Sequence, residues 1–180
     1  MSREVLVGVC GGVAAFKTAA LVSQMVQAGY RVQTILTKSA GQFVGAATFS
    51  ALTGRKVVQS LFDPAYHLGA HIELASQAEL LLIAPATANI VAKMAQGLAD
   101  DLLSTTYLAF DGPVLIAPAM NAEMWGKPSV QRNVQQLKDD GVQMIGPEKG
   151  WLSCRQQGAG RMSEPNEILA EIQRILPMET

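Results

Sequence analysis

Charge, cysteine and long hydrophobic runs are all scarce in this 180-residue chain, and each scarcity excludes something. Lys and Arg number 14 against 15 Asp and Glu, so the net charge is −1 and charged residues make up only 16%. A nucleic-acid binder or a protein that coats an anionic membrane concentrates cations on one face. No block of like charge exists here, so neither partner is expected. The N-terminus, "MSREVLVGVCGG", lacks the basic region, apolar stretch and cleavage site of a secretory leader. The longest apolar run, Leu80–Ala88, contains Pro85 and falls well short of the roughly 20 residues of a membrane span. A cytoplasmic enzyme or binding domain is therefore expected. Cys10 and Cys154 do not form a metal-ligand pair by spacing, and a cytosolic chain rarely keeps a disulfide, so no metal site is expected. Internal repeats and low-complexity tails are also missing.

What is abundant is apolar residue, at 49%. With so sparsely charged a surface, part of that apolar area is expected to be buried between subunits. Four short aliphatic runs read as strands: "EVLVGV" (4–9), "RVQTILT" (31–37), "ELLLIAP" (79–85) and "PVLIAP" (113–118), with a weaker fifth in "VQMIGP" (142–147). Continuous rather than alternating hydrophobicity marks strands covered on both faces, as in a parallel sheet. Helical patterns lie between them at 14–29, 89–110 and 129–141, and a closing helix at 163–176 has Ser163 as its expected N-cap and Pro165 early in it. The alternation predicts one α/β domain over residues 1–180: a doubly wound, flavodoxin- or Rossmann-like parallel sheet with helices on both faces. Ligands of such sheets bind at the carboxyl ends of the strands.

Those ends hold the candidate chemistry. "GVCGGVAAFK" (8–17) is a strand, a glycine pair and a helix, which suits either a tight βα turn or a phosphate held at Gly11, Gly12 and Val13. The full G-x-G-x-x-G fingerprint and its ribose-binding acid are missing, so a mononucleotide such as FMN is favoured over a dinucleotide. "TKSAGQF" offers Thr37 and Ser39, at least one of them as a helix cap, and "APATANIVAK" offers Thr87, Ala88 and Asn89. "HLGAHIELA" holds both histidines. His71 suits either a core or interface position or proton transfer near neutral pH, and His67 reads as surface loop. Cys10 reads as a small core residue. Cys154 lies in "GPEKGWLSCRQQGAGRM" (146–162), a long segment without periodicity, where a thiol is placed to donate a proton or attack a substrate. In "VLIAPAMNAEMW" (114–125), Met120, Met124 and Trp125 are expected to pack the turn and to hold Asn121 at the crevice mouth.

Taken together, the motifs "HIELA", "APATAN", "PAMNAEMW" and "SCRQQGAGRM", in this order across almost the whole chain, resemble the homo-oligomeric flavin-containing cysteine decarboxylases. The likeness is strongest to the branch that acts on 4′-phospho-N-pantothenoylcysteine in coenzyme A biosynthesis. The resemblance implies FMN lined by Gly11, Gly12, Val13, Thr37, Ser39, Thr87, Ala88, Asn89 and Ala119, near a subunit interface of a trimer or dodecamer. It implies His71 as the active-site histidine beside the flavin and Asn121 as the contact for the substrate carboxylate or its amide neighbourhood. Met124 would join that contact, and Cys154 would ride on a clamp that closes over the substrate.

The implied reaction oxidises the cysteine CH2–SH unit to a thioaldehyde, loses CO2 to give an enethiol, and reduces that to 4′-phosphopantetheine. His71 would serve the oxidative half and Cys154 the reductive half. Peptidyl-cysteine decarboxylases of lantibiotic maturation share the histidine and asparagine motifs but stop at the enethiol, and Cys154 is what favours the complete reaction. Flavin prenyltransferases, electron-transfer flavodoxins and non-catalytic regulatory flavoproteins are the remaining alternatives. The last usually carry long acidic extensions, of which there is none here. Two departures stand out. Bacterial clamp loops commonly read Cys-Gly followed by an acidic residue, whereas Cys154 precedes Arg155, Gln156 and Gln157. Many bacterial relatives are also fused to a synthetase, whereas here a monofunctional chain or a separately encoded partner is expected.

Overall fold

The computed structural model describes residues 2–178. Met1, Glu179 and Thr180, the ends of the expected 1–180 domain, lie outside the described residues. Five parallel strands form the central sheet in the order β2-β1-β3-β4-β5. They are β1 (Glu4–Val9), β2 (Arg31–Leu36), β3 (Leu80–Ala86), β4 (Val114–Pro118) and the two-residue β5 (Gln143–Met144). Successive side chains of a strand point to opposite faces. Val5, Val7 and Val9 accordingly join Leu80, Leu82 and Leu115 in one core. Leu6, Leu81, Ile83 and Ile116 enter the other. All seven residues of β3 are buried, which is why its sequence is apolar without alternation. Each such leucine or isoleucine contributes about 1.5–3 kcal/mol by leaving water.

The helices are α1 (Ala15–Gln27), α2 (Ala46–Thr53), α3 (Ala70–Gln77), α4 (Ala88–Gln96), α5 (Leu102–Ala109), α6 (Ala122–Gly126), α7 (Pro128–Asp139) and α8 (Pro165–Ile175). Leu21, Val22 and Met25 of α1 and Ile168 and Ile172 of α8 cover the first face. Leu74 of α3, Ile90 and Met94 of α4, Leu103 of α5, and Val134 and Leu137 of α7 cover the second. This is the doubly wound arrangement the alternation predicts. The strand order switches sides between β1 and β3, which run parallel, so the crevice falls at their carboxyl ends. Among the described residues no helix is long and apolar enough to cross a membrane.

Several elements differ from the sequence reading. The helix expected over 89–110 is two helices. Gly97 takes the left-handed conformation (φ 66°) and ends α4, and Asp101 then starts α5 by accepting from Ser104 N–H. The N-cap of α8 is Glu164 rather than Ser163. Ser163 is buried and donates instead to Glu148 Oε1 at 3.1 Å. The segment 146–162, which carries no periodicity, contains an antiparallel hairpin, β6 (Glu148–Trp151) with β7 (Gln157–Arg161). It is rich in glycine and charge because it covers the crevice and little covers it. The short helices α2 and α3 give no strong pattern, since eight residues hold barely two turns.

Candidate functional site

A cavity of about 910 Å³ opens where β1, β3 and β4 end. Its floor is the turn after β1. A Cβ on Gly11 would lie 2.3 Å from Ser39 Cβ, so only glycine lets these two turns meet. The N–H groups of Gly11, Gly12, Val13 and Ala14 have no acceptor among the described residues, and no side chain caps α1. Four donors at a helix start thus face the cavity. Thr37 takes the capping role expected of one residue in its loop: it donates to Val9 O at 3.2 Å and accepts from Ala40 N–H at 3.3 Å. Ser39 makes no such bond and remains open to a ligand. Thr87 caps α4, accepting from Ile90 N–H at 3.5 Å, while Ala88, Asn89 and Ala119 complete the wall. Cys10 is buried under this wall, and desolvation pushes its thiol up to about 12.

The opposite wall is the turn after β4. Asn121 Oδ1 accepts from Met124 N–H at 2.8 Å and caps α6. With its oxygen used in this way, the amide NH2 is the end left for a ligand. Trp125 packs into the second core as the sequence reading expects, but Met124 does not. It is 46% exposed and, with Met120, lines the cavity, because α6 buries none of its residues.

The hairpin β6–β7 forms the roof. Gly160, at φ 138°, presses so close to the turn after β4 that a Cβ would lie 2.2 Å from Met120 O. Met120 N–H donates to Gly160 O at 2.9 Å across the same contact. Cys154 sits exposed at the hairpin tip and lines the cavity. Arg155 N–H donates to Leu152 O at 2.9 Å, Leu152 N–H donates to Gln156 O at 2.8 Å, and the next step of the turn requires Arg155 at φ 63°. It is the one non-glycine residue with positive φ among those described. The departure from Cys-Gly therefore falls on the position where glycine costs least. Arg155→Gly is expected to stabilise the protein by about 1 kcal/mol, a rise in Tm of roughly 2–4 °C by calorimetry. The burial contrast between the two thiols gives a second expectation. At pH 8 a maleimide should label the native protein once, at Cys154, with Cys10 reacting only after denaturation, as read by intact mass.

His71 is not brought into this cavity. It lies in the first turn of α3, its Nδ1 buried with no partner among the described residues. Exposed apolar side chains flank it, Leu68 at 77% and Ile72 at 44%. His67 is exposed in the preceding loop, as expected. Sequence reasoning missed a charged cluster on the cavity wall. Lys17 Nζ donates to Glu164 Oε1 at 2.9 Å and to Met162 O at 3.2 Å, and Arg161 pairs with the same carboxylate oxygen. The Lys17 hydrogen bond foremost holds the Glu164 carboxyl below its usual range. Lys93 likewise bridges Asp100 and Asp101, each at 2.6 Å. In the first cluster Lys17 lies more than 140 residues from both its partners, so no local pattern signals the link. Among the described residues no group of His, Cys, Asp and Glu is placed to hold a metal ion.

Residues 1–176 match the family described as Flavoprotein. The coenzyme A biosynthesis bifunctional protein CoaBC of Bacillus subtilis (strain 168) is 44% identical over 180 residues, which is 99% of this chain and 44% of that protein. CoaBC of Haemophilus influenzae (strain ATCC 51907 / DSM 11121 / KW20 / Rd) is 42% identical over 171 residues, 94% of this chain and 43% of that protein. The chain thus spans less than half the length of these curated relatives. Among solved structures, a cysteine-to-serine mutant of PPC decarboxylase complexed with pantothenoylaminoethenethiol superposes with a TM-score of 0.87. It is 31% identical, with 97% of this chain and 98% of that one covered. The FMN-dependent cysteine decarboxylase SpaF gives a TM-score of 0.83 at 36% identity, covering 94% of each chain.

Proposed function

The chain belongs to the flavoprotein family, and on that premise we propose that it binds FMN and decarboxylates 4′-phospho-N-pantothenoylcysteine to 4′-phosphopantetheine. The observation that carries this reading is the meeting, in one cavity, of a mononucleotide cradle with Asn121 and the Cys154 hairpin on the facing walls. The cradle suits FMN on its own features. Four unpaired N–H groups at a helix start, the free Ser39 hydroxyl and the Asn89 amide make an uncharged donor set of the kind that holds a phosphate and a ribityl chain. Gly11, Gly12, Val13, Thr37, Ser39, Thr87, Ala88, Asn89 and Ala119 would hold the cofactor. Bound there, FMN supplies a two-electron acceptor that takes up, and later returns, the electron pair of the substrate CH2–SH unit.

The residues do the rest. The NH2 of Asn121 donates to the substrate carboxylate, oriented by the bond that fixes its oxygen, and Met124 packs beside it. His71 moves a proton while CH2–SH becomes a thioaldehyde. That C=S bond accepts the electrons released as CO2 leaves, and an enethiol results. Cys154, lowered by the hairpin, protonates the enethiol carbon as the double bond is reduced. Supplying that proton separates the full reaction from the peptidyl-cysteine alternative.

His71 would reach the cavity from a neighbouring subunit of a trimer or dodecamer. What supports this is its absence from the cavity lining of its own chain and the match of two apolar surfaces. Leu68 and Ile72 surround His71, while Val13 (51% exposed), Phe16 (60%) and Phe43 (52%) lie around the cradle. A synthetase that makes the substrate would be its functional partner, and the cytoplasm is the expected place for both. The test is a flavin spectrum. Purified protein should be yellow and release close to one FMN per chain on denaturation, and a colourless preparation that takes up no added FMN would overturn the reading.

A further inference from the structure

The charged cluster of Lys17, Arg161 and Glu164 joins three segments that the reaction needs in register. Lys17 lies in the first turn of α1, three residues after Ala14 and directly behind the cofactor cradle. Arg161 ends β7 and Glu164 caps α8. The hairpin is otherwise thinly held: Glu148, Lys149, Trp151 and residues 153–157 are exposed, and Leu152 is the one buried apolar side chain between them. Its base is fastened in two directions. Backbone contact between Gly160 and Met120 ties it to the turn that carries Asn121. Glu164, gripping Arg161 on one side and Lys17 on the other, ties it to α1, and Lys17 adds a bond to Met162 O at 3.2 Å.

From this geometry we propose that Glu164 is a positioning residue, which seats the hairpin over the cradle at the height where Cys154 meets the substrate. Lys17 is 15% exposed in its side chain, so its charge is largely removed from water and depends on that carboxylate. Without the negative charge, Lys17 and Arg161 repel each other, and the hairpin loses its ionic tie to α1 while keeping its contact on the Asn121 side and the Ser163–Glu148 bond. The proposal rests on the functional reading for the role of Cys154, but the seat itself is measurable without substrate.

Glu164→Gln is the informative variant, since glutamine keeps the size of the side chain and an accepting oxygen while the charge is lost. In the FMN-loaded protein, amide hydrogen exchange over residues 148–161 should quicken about fivefold, with β1, β3 and β4 unchanged. Lys17→Met should reproduce that change, and the double variant should add little to it. With substrate, Glu164→Gln should release CO2 but accumulate enethiol at the expense of the reduced product. Unchanged exchange in both single variants would overturn the proposal. Faster exchange with an unaltered product ratio would reduce Glu164 to a purely structural part and overturn the positioning role. Faster exchange in a protein whose parent makes no decarboxylated product would uphold the seat and count against the functional reading instead.

Discussion

His71→Asn is expected to purify with its flavin and to lose roughly 10²- to 10⁴-fold in CO2 release, the range a positioned acid–base group supplies. Asparagine keeps a polar side chain on the first turn of α3 but has no group that exchanges a proton near neutral pH. Because His71 lies outside the cavity of its own chain, the loss should not disturb the cradle, and bound FMN should stay near one per chain. The same geometry predicts complementation. Oligomers assembled from His71→Asn and Asn121→Ala chains should regain part of the activity, since some of their sites combine an intact histidine with an intact asparagine. Inactive mixed oligomers would mean that each chain builds its site alone, contrary to the proposed assembly. Assay of 14C-labelled CO2 from substrate labelled in the cysteine carboxyl reads both results.

Cys154→Ser should separate the two halves of the reaction. CO2 release should persist for a single turnover, while formation of 4′-phosphopantetheine falls at least about 100-fold and the enethiol accumulates. A serine hydroxyl fits the same hairpin tip, where Cys154 is exposed and supported by no packing, so the fold should be unaffected. The hydroxyl is a far weaker acid than a thiol, and the enethiol carbon is left without its proton. Mass spectrometry of the quenched mixture distinguishes the products by two hydrogens. Normal yield of the reduced product would transfer the proton-donor role to another group on the cavity wall.

The sheet was legible because burial on both faces leaves an uninterrupted aliphatic run, as "LLLIAPA" shows at β3. The strand ends were legible for the same reason, since small polar residues interrupt those runs where the chain must turn. The break at Gly97 was harder to read, because apolar residues resume in α5 only a few positions after α4 ends, and only the pairing of a glycine with Asp101 four residues later marks the gap. The hairpin escaped notice for a physical reason too. A strand pair that covers a crevice buries little, so it carries no alternating pattern. Asn121 was legible as a polar residue at a strand end, but the expectation that Met124 packs inward failed because α6 is too short to bury a face. Arg155 shows how a departure gains meaning from backbone geometry: its left-handed φ identifies the turn position that glycine fills in related loops. The link from Lys17 to Glu164 could be found only in three dimensions.

The most direct test of the central claim is the reaction itself, followed with purified, FMN-loaded protein and 4′-phospho-N-pantothenoylcysteine. Equimolar CO2 and 4′-phosphopantetheine, with the flavin spectrum oxidised again after each turnover, is the predicted result. Flavin that stays bound while the substrate is recovered unchanged would contradict it.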